Sequence, residues 1–190
     1  MRISKGLVEE LFNADQISHR CRELGDEIGL YYSQIFMDEG YFGGTGTLGV
    51  VPVLNGAMQF CSKLLEQSVF PFQTQIIPCF ARSYRGIKKG ALDFGFPSAE
   101  EMPKHILVVE DIIDTGDTVS QIVDWFWKNG HTPTVCSLLK KSQQKFKIDA
   151  KFWTGFHCPD KFVVGFGMDY RGFYRHYSSI HIFDEEKINA

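Results

Sequence analysis

Within the short stretch Glu110-Asp111-Ile112-Ile113-Asp114-Thr115-Gly116-Asp117-Thr118, carboxylates, hydroxyls and a glycine are packed side by side. Upstream, Ile106-Leu107-Val108-Val109 is a continuous apolar run, the mark of a strand buried on both faces. Downstream, Val119, Ile122, Val123 and Phe126 fall at i, i+3, i+4 and i+7, the buried stripe of a helix. The acidic groups therefore crowd the point where a buried strand emerges and a helix begins. A helix start presents unpaired N–H groups and the positive end of its dipole. In an open parallel sheet the crevice beyond the carboxyl ends of the strands is where ligands bind. The chemistry implied is an anion pocket.

The string from Val108 to Thr118 resembles the phosphoribosyl-pyrophosphate signature of the type I phosphoribosyltransferases, and its Glu-Asp-Ile-Ile-Asp-Thr-Gly wording is similar to that of the hypoxanthine-guanine phosphoribosyltransferases. The likeness continues in order through Val53-Leu54-Asn55-Gly56, Ser83-Tyr84, Ser137-Leu138-Leu139-Lys140-Lys141 and the run from Pro159 to Tyr170. It spans about Asp15 to about Arg175. The resemblance implies an α/β fold, a mostly parallel twisted sheet flanked by helices with a small hood. It also implies the activity: a purine-salvage transferase that moves the 5-phosphoribosyl group of phosphoribosyl pyrophosphate (PRPP) onto a 6-oxopurine, hypoxanthine or guanine. The products would be IMP or GMP and pyrophosphate, with Mg2+ as cofactor.

The same resemblance assigns roles. Glu110 and Asp111 would reach the ribose hydroxyls, directly or through a magnesium-bound water. Asp114, Thr115, Gly116, Asp117 and Thr118 would cradle the 5′-phosphate through backbone N–H groups and the two hydroxyls. Asp114 is also similar to the catalytic residue that faces N7 of the purine, where a carboxylate serves as general acid or base. Lys141 would donate to the 6-oxo group; because lysine offers only donors, the amino group of adenine would be disfavoured there. Phe162 would stack on the purine, the backbone of Val163 would meet its edge, and Asp169 would lie near the 2-position and supply a second magnesium contact. Leu54, Asn55 and Gly56 correspond to the pyrophosphate loop, Arg175 to the arginine that holds the leaving group, and Ser83-Tyr84 to a lid. Two departures stand out. Asn55 replaces a lysine common in the family, and Asp117 puts an acid beside a phosphate, a repulsive arrangement unless its side chain turns away. Plainer readings stay open: a helix cap for Asp114 and Thr115, a surface lysine for Lys141, a core ring for Phe162, surface charges for Asp169 and Arg175.

The surrounding elements must hold these groups. Ile17, Cys21, Leu24, Ile28, Tyr31, Tyr32 and Ile35 keep helical spacing after Asp15, the candidate N-cap. A glycine-rich break follows, and Leu48 to Leu54 reads as the first sheet strand. Residues 57–68 have helical period and Phe72 to Ala81 reads as a second strand. The stretch 82–103, charged and glycine-rich, predicts a long loop or hairpin that could act as a flexible lid. Asn129-Gly130 stops the central helix, Thr132 to Leu139 is another strand, and Lys151-Phe152-Trp153 and Phe162 to Phe166 predict short ones. One domain over 1–190 is expected, with a hood from about 1–40 and 150–190.

Composition excludes several classes. A net charge of -3 gives no general attraction to nucleic acid, and no run approaches the roughly 18 apolar residues of a membrane span. Five cysteines without a CxxC predict reduced core thiols and a cytoplasmic protein. His19 with Cys21, and His157-Cys158, lack zinc spacing. Gly44-Thr45-Gly46-Thr47-Leu48-Gly49 matches G-x-G-x-x-G, but the Rossmann fingerprint needs a strand before it and a helix after it. Here the order is reversed. The alternative function is a PRPP-sensing regulator of the same fold with little catalysis, which should show a basic face. From the family likeness a homodimer or homotetramer is expected.

Overall fold

A computed structural model describes residues 6–83, 92–141 and 148–188. The chain begins with strand β1 (Leu7–Phe12) and helix α1 (Ala14–Asp38), then β2 (Thr47–Pro52), α2 (Met58–Gln67) and β3 (Gln73–Ile76). Two short strands, β4 (Arg82–Ser83) and β5 (Leu92–Asp93), precede β6 (His105–Ile113), α3 (Asp117–Lys128) and β7 (Thr132–Lys141). The last strands are β8 (Lys151–Cys158), β9 (Val163–Val164) and β10 (Ile180–Phe183).

The main sheet has the order β3-β2-β6-β7-β8, and every neighbouring pair in it is parallel. β6 is its middle strand, and the apolar run read in the sequence feeds both faces. Leu107 and Val109 pack with α1 and α2, through Leu24, Ile28, Tyr32, Phe60 and Leu64. Ile106 and Val108 pack on the other face with Val119, Ile122, Val123 and Phe126 of α3. A strand covered on both sides has no polar face to alternate with, hence the unbroken run. Tyr32 is fully buried, and its hydroxyl is satisfied by Thr134 Oγ1 at 2.6 Å and by the carbonyl of Ile106 at 3.2 Å. All five cysteines are buried, and burial pushes the thiols of Cys21, Cys61 and Cys79 up to about 12.

Helix α1 starts earlier than predicted. Asn13, not Asp15, is the N-cap: its side chain accepts from the Gln16 N–H while Gln16 accepts from the Asn13 N–H, both at 2.9 Å. This reciprocal capping box satisfies two helix-end donors at once, which Asp15 inside the first turn cannot do. Strand β1 was not read from the sequence. It pairs with β10 and lies in a separate small sheet of order β1-β10-β9.

That small sheet narrows the expected hood. Of the described residues in 1–40 only β1 joins it, because the apolar stripe of α1 is spent on the main sheet. Strand β8, assigned to the hood by the 150–190 boundary, is instead the edge strand of the main sheet, pairing with β7 from Thr134↔Lys151 to Lys141↔Cys158. Ser83 and Arg82 pair antiparallel with Leu92 and Asp93, and beyond them Phe94 and Met102 are buried against the α3 face, with Phe96 4.7 Å from Trp125. Tyr84 and the Lys88-Lys89-Gly90 segment lie outside the described residues.

Candidate active site

Parallel strands end together, so the C-terminal edges of β2, β6, β7 and β8 form one rim. A cleft of about 360 Å³ opens on it, lined by Val53, Leu54, Gly56 and Ala81, by the whole run from Glu110 to Val119, and by Asp169 and Arg175. Residues from four separate chain segments thus converge at the predicted strand-to-helix turn. Gly116 caps α3 with φ 84°, and Thr115 Oγ1 accepts from the Asp117 N–H at 3.4 Å. The first-turn N–H groups of α3 have no partner inside the helix, and Asp117, Thr118 and Val119 line the cleft at the positive end of the helix dipole. Asp117 lines the cleft and is exposed.

The two adjacent acids separate by depth. Glu110 is buried, and burial first, then the neighbouring Asp111 charge, raises its carboxyl well above the usual carboxylate range. Its Oε1 accepts from the Asp111 N–H at 3.2 Å. Asp111 leans over the loop after β2, where a Cβ on Gly56 would meet its Oδ2 at 2.0 Å. Gly167 approaches that loop from the opposite side, at φ 99°, where a Cβ would lie 2.1 Å from the Gly56 carbonyl oxygen. Backbone contact requires the glycine at 167, whereas a side chain at 56 would displace the Asp111 carboxylate. The Leu54–Asn55 peptide in this loop is cis, and Asn55 is exposed and outside the cleft lining.

A second loop brings in the remaining groups. Arg175 donates to the Gly167 carbonyl at 2.5 Å and pairs with Asp169 at 2.5 Å, while the other oxygen of Asp169 accepts from the Gly172 N–H at 2.5 Å. Gln59 of α2 fixes this loop by donating to the Arg175 carbonyl at 2.6 Å. Neither Gln59 nor Gly167 was singled out in the sequence, since only the packing of two distant loops gives them a role.

Lys141, at the end of β7, is brought onto Asp114 at 2.9 Å and onto Asp160 at 3.0 Å. Burial lowers its pKa, but the hydrogen bonds and charges of the two acids outweigh that, and the net direction is upward. The surface-lysine reading does not hold, because the side chain is 14% exposed. Asp160 was missed; a carboxylate just past a strand end beside Phe162 was the available signal. Phe162 is 52% exposed, which removes the core-ring reading, and it meets Tyr170 edge-on with centroids 6.1 Å apart. Val163 is buried in β9, paired with Ile182. Neither Phe162 nor Val163 lines the cleft itself.

Among the described residues the cleft lining holds five acids, Glu110, Asp111, Asp114, Asp117 and Asp169, and one cation, Arg175, while Lys141 reaches Asp114 from outside the lining. No cluster of three or more metal-ligating side chains occurs among the described residues. Magnesium does not need one: it keeps several waters and binds through one or two carboxylates plus substrate phosphates. Asp111 and Asp169 offer magnesium two such carboxylates in the cleft lining. The donor set fits it.

Residues 19–171 match the family model described as phosphoribosyl transferase domain. Among curated relatives, a hypoxanthine phosphoribosyltransferase from Haemophilus influenzae is 30% identical, with 88% of this chain and 90% of that protein covered. A hypoxanthine-guanine-xanthine phosphoribosyltransferase from Tritrichomonas foetus is 31% identical, with 92% and 91% covered. Among solved structures, a Staphylococcus aureus hypoxanthine phosphoribosyltransferase superposes with a TM-score of 0.76 at 26% identity, covering 98% of this chain and 96% of that one. The Trypanosoma cruzi enzyme in complex with the product IMP gives 0.80 at 22% identity, covering 98% and 99%, a likeness of fold.

Proposed function

Because the chain belongs to the phosphoribosyltransferase family, we propose that it is a purine-salvage enzyme in which a 6-oxopurine displaces pyrophosphate from C1 of PRPP. The bond from the purine nitrogen to C1 forms as the bond from C1 to the pyrophosphate oxygen breaks. IMP or GMP and pyrophosphate leave. The carrying observation is the cleft itself: a helix start, a carboxylate pair and an arginine share one cavity whose Asp114 is held by a lysine.

In this reading the main chain from Asp114 to Thr118 binds the 5′-phosphate, with the Thr115 and Thr118 hydroxyls as further donors. Asp111 accepts from a ribose hydroxyl. Glu110, whose carboxyl holds its proton to higher pH than an ordinary one, sits behind it and supplies a donor or an acceptor as the proton is kept or lost. Leu54, Asn55 and Gly56 meet the leaving phosphates through the backbone. Among the described residues Arg175 is the one side-chain cation lining the cleft for them, since Asn55 brings no charge. Asp114 exchanges a proton with N7 of the base, Lys141 donates to its 6-oxo group, Phe162 stacks on its face, and Val163 offers backbone to its edge near Asp169.

Mg2+, held by Asp169 and the Glu110–Asp111 pair together with substrate oxygens, would neutralise charge on the departing pyrophosphate. Ser83 and Tyr84 belong to a lid that keeps water from the sugar. The enzyme works as a cytoplasmic homodimer or homotetramer, binding neither nucleic acid nor membrane. No helix among the described residues is long and apolar enough to cross a membrane.

The decisive experiment is a panel of purines supplied with PRPP and Mg2+. Release of pyrophosphate with hypoxanthine or guanine, and none with adenine, is expected. Turnover of adenine, or of no 6-oxopurine, would overturn the proposal.

A further inference from the structure

Lys141 is the point where three consecutive strands of the main sheet meet in one ion cluster. It ends β7; Asp114 follows β6, and Asp160 follows β8. The register sets this up, since Lys141 lies opposite Cys158 and the chain then turns back, with the Lys161 N–H donating to the Pro159 carbonyl at 2.8 Å. The turn carries Asp160 over the end of β7. Within the cluster the ammonium faces Asp114 from one side and Asp160 from the other, with the Cys158 thiol below.

The two carboxylates are not equivalent. Asp114 lines the reaction cleft and Asp160 does not. On the function proposed above, Asp114 has to exchange a proton with the base, and a carboxylate that is the sole partner of a half-sequestered ammonium is poorly placed to do so. An ammonium has three donors, so one can stay on Asp160, one can meet the 6-oxo group, and Asp114 can be released toward N7. The same turn leads within two residues to Phe162, the exposed ring given the stacking role in the proposed function.

We infer that Asp160 is a positioning residue: it anchors Lys141 from outside the cleft, so that the lysine stays aimed at the 6-oxo group while Asp114 is freed for proton exchange. The inference rests on the proposed function, and its failure can be told apart from failure of that reading.

Asp160→Asn and Asp160→Glu should be assayed beside Lys141→Ala, with KM for hypoxanthine, KM for PRPP, kcat and the pH profile measured for each. Asp160→Asn is expected to raise KM for hypoxanthine about tenfold, the scale for loss of one hydrogen bond to a charged group. KM for PRPP should stay within about twofold, since the phosphate turn is untouched. The basic limb of the pH profile should move to lower pH, because Lys141 loses one of the two acids that stabilise its charge. Asp160→Glu should recover most of both effects. An Asp160→Asn protein with wild-type KM and pH profile, or one that loses PRPP and base binding alike, overturns the inference while Lys141→Ala still impairs base binding. If Lys141→Ala leaves KM for hypoxanthine unchanged, the reading of the base site fails, and the inference with it.

Discussion

The Asp111 carboxylate rests directly on the backbone of Gly56, so close that any side chain at that position would collide with it. The strand-to-helix turn after β6 and the loop after β2 are therefore fitted to each other through one acid and one glycine.

Gly56→Ala should push Asp111 away from its seat. An added methyl at 2.0 Å from Oδ2 requires the Asp111 carboxylate to shift from its place over the loop. The expected result is a rise in KM for PRPP of about tenfold or more, equivalent to the loss of one hydrogen bond to a charged group. KM for the base should move less. Steady-state kinetics with each substrate varied in turn makes the comparison; equal changes in both constants would contradict the pairing.

Asp114→Ala removes the proposed proton-exchange group. A positioned general acid or base typically contributes about 10² to 10⁴ in rate, so kcat should fall by that order. Because Asp114 is exposed and ion-paired only with Lys141 among the described residues, the thermal midpoint should hardly change. A variant with near-normal kcat would remove Asp114 from the chemistry.

Phe162→Ala tests the stacking surface. Base stacking on an aromatic ring is worth about 1 to 3 kcal/mol, so KM for the purine should rise about 5-fold to 150-fold. The half-exposed ring contributes little to the core, and a calorimetric scan should show a midpoint close to that of the parent. Loss of stability with unchanged KM would reverse the assignment.

Glu110 gives a pH signature. Its folded pKa is raised, chiefly by burial, above the unfolded value of about 4.3. The folded protein thus holds a proton that the unfolded chain has released. The stability this confers is fully present below the unfolded pKa and is lost as pH rises from there through the folded pKa. Glu110→Gln cannot ionise, so its unfolding midpoint should gain on the parent's as pH is raised through that window. Denaturation curves at a series of pH values, without divalent cation, measure it; a difference independent of pH would show that Glu110 ionises freely in the fold.

Some of this architecture was plain in the residues. The apolar run of β6 demanded cover on both faces, and α1, α2 and α3 provide it. The stripe of α3 and its stop at Asn129-Gly130 were legible because they depend on local spacing and on φ, which is 84° at Gly130. What failed depended on partners far away. Strand β1 carries Glu9 and Glu10 in a run without a buried residue, so no pattern marked it, and it exists by pairing with β10. Strand β8 reads as half-polar because it is an edge, and only its ladder with β7 lengthens it to Cys158. The G-x-G-x-x-G match was rightly set aside, since Leu48 and Gly49 fall inside β2 rather than before a helix.

By itself the sequence determined the strand-turn-helix that ends in acids and a helix start, and with it the kind of ligand, because backbone amides, carboxylates and a glycine act through local geometry. Only the tertiary structure decided how Asp160 reaches Lys141, how Gly167 meets Gly56, and how Arg175 comes to Asp169. Those contacts join chain segments that no periodicity connects. They arise because parallel strands bring their carboxyl ends to one rim, where each loop is shaped by its neighbours rather than by its own residues.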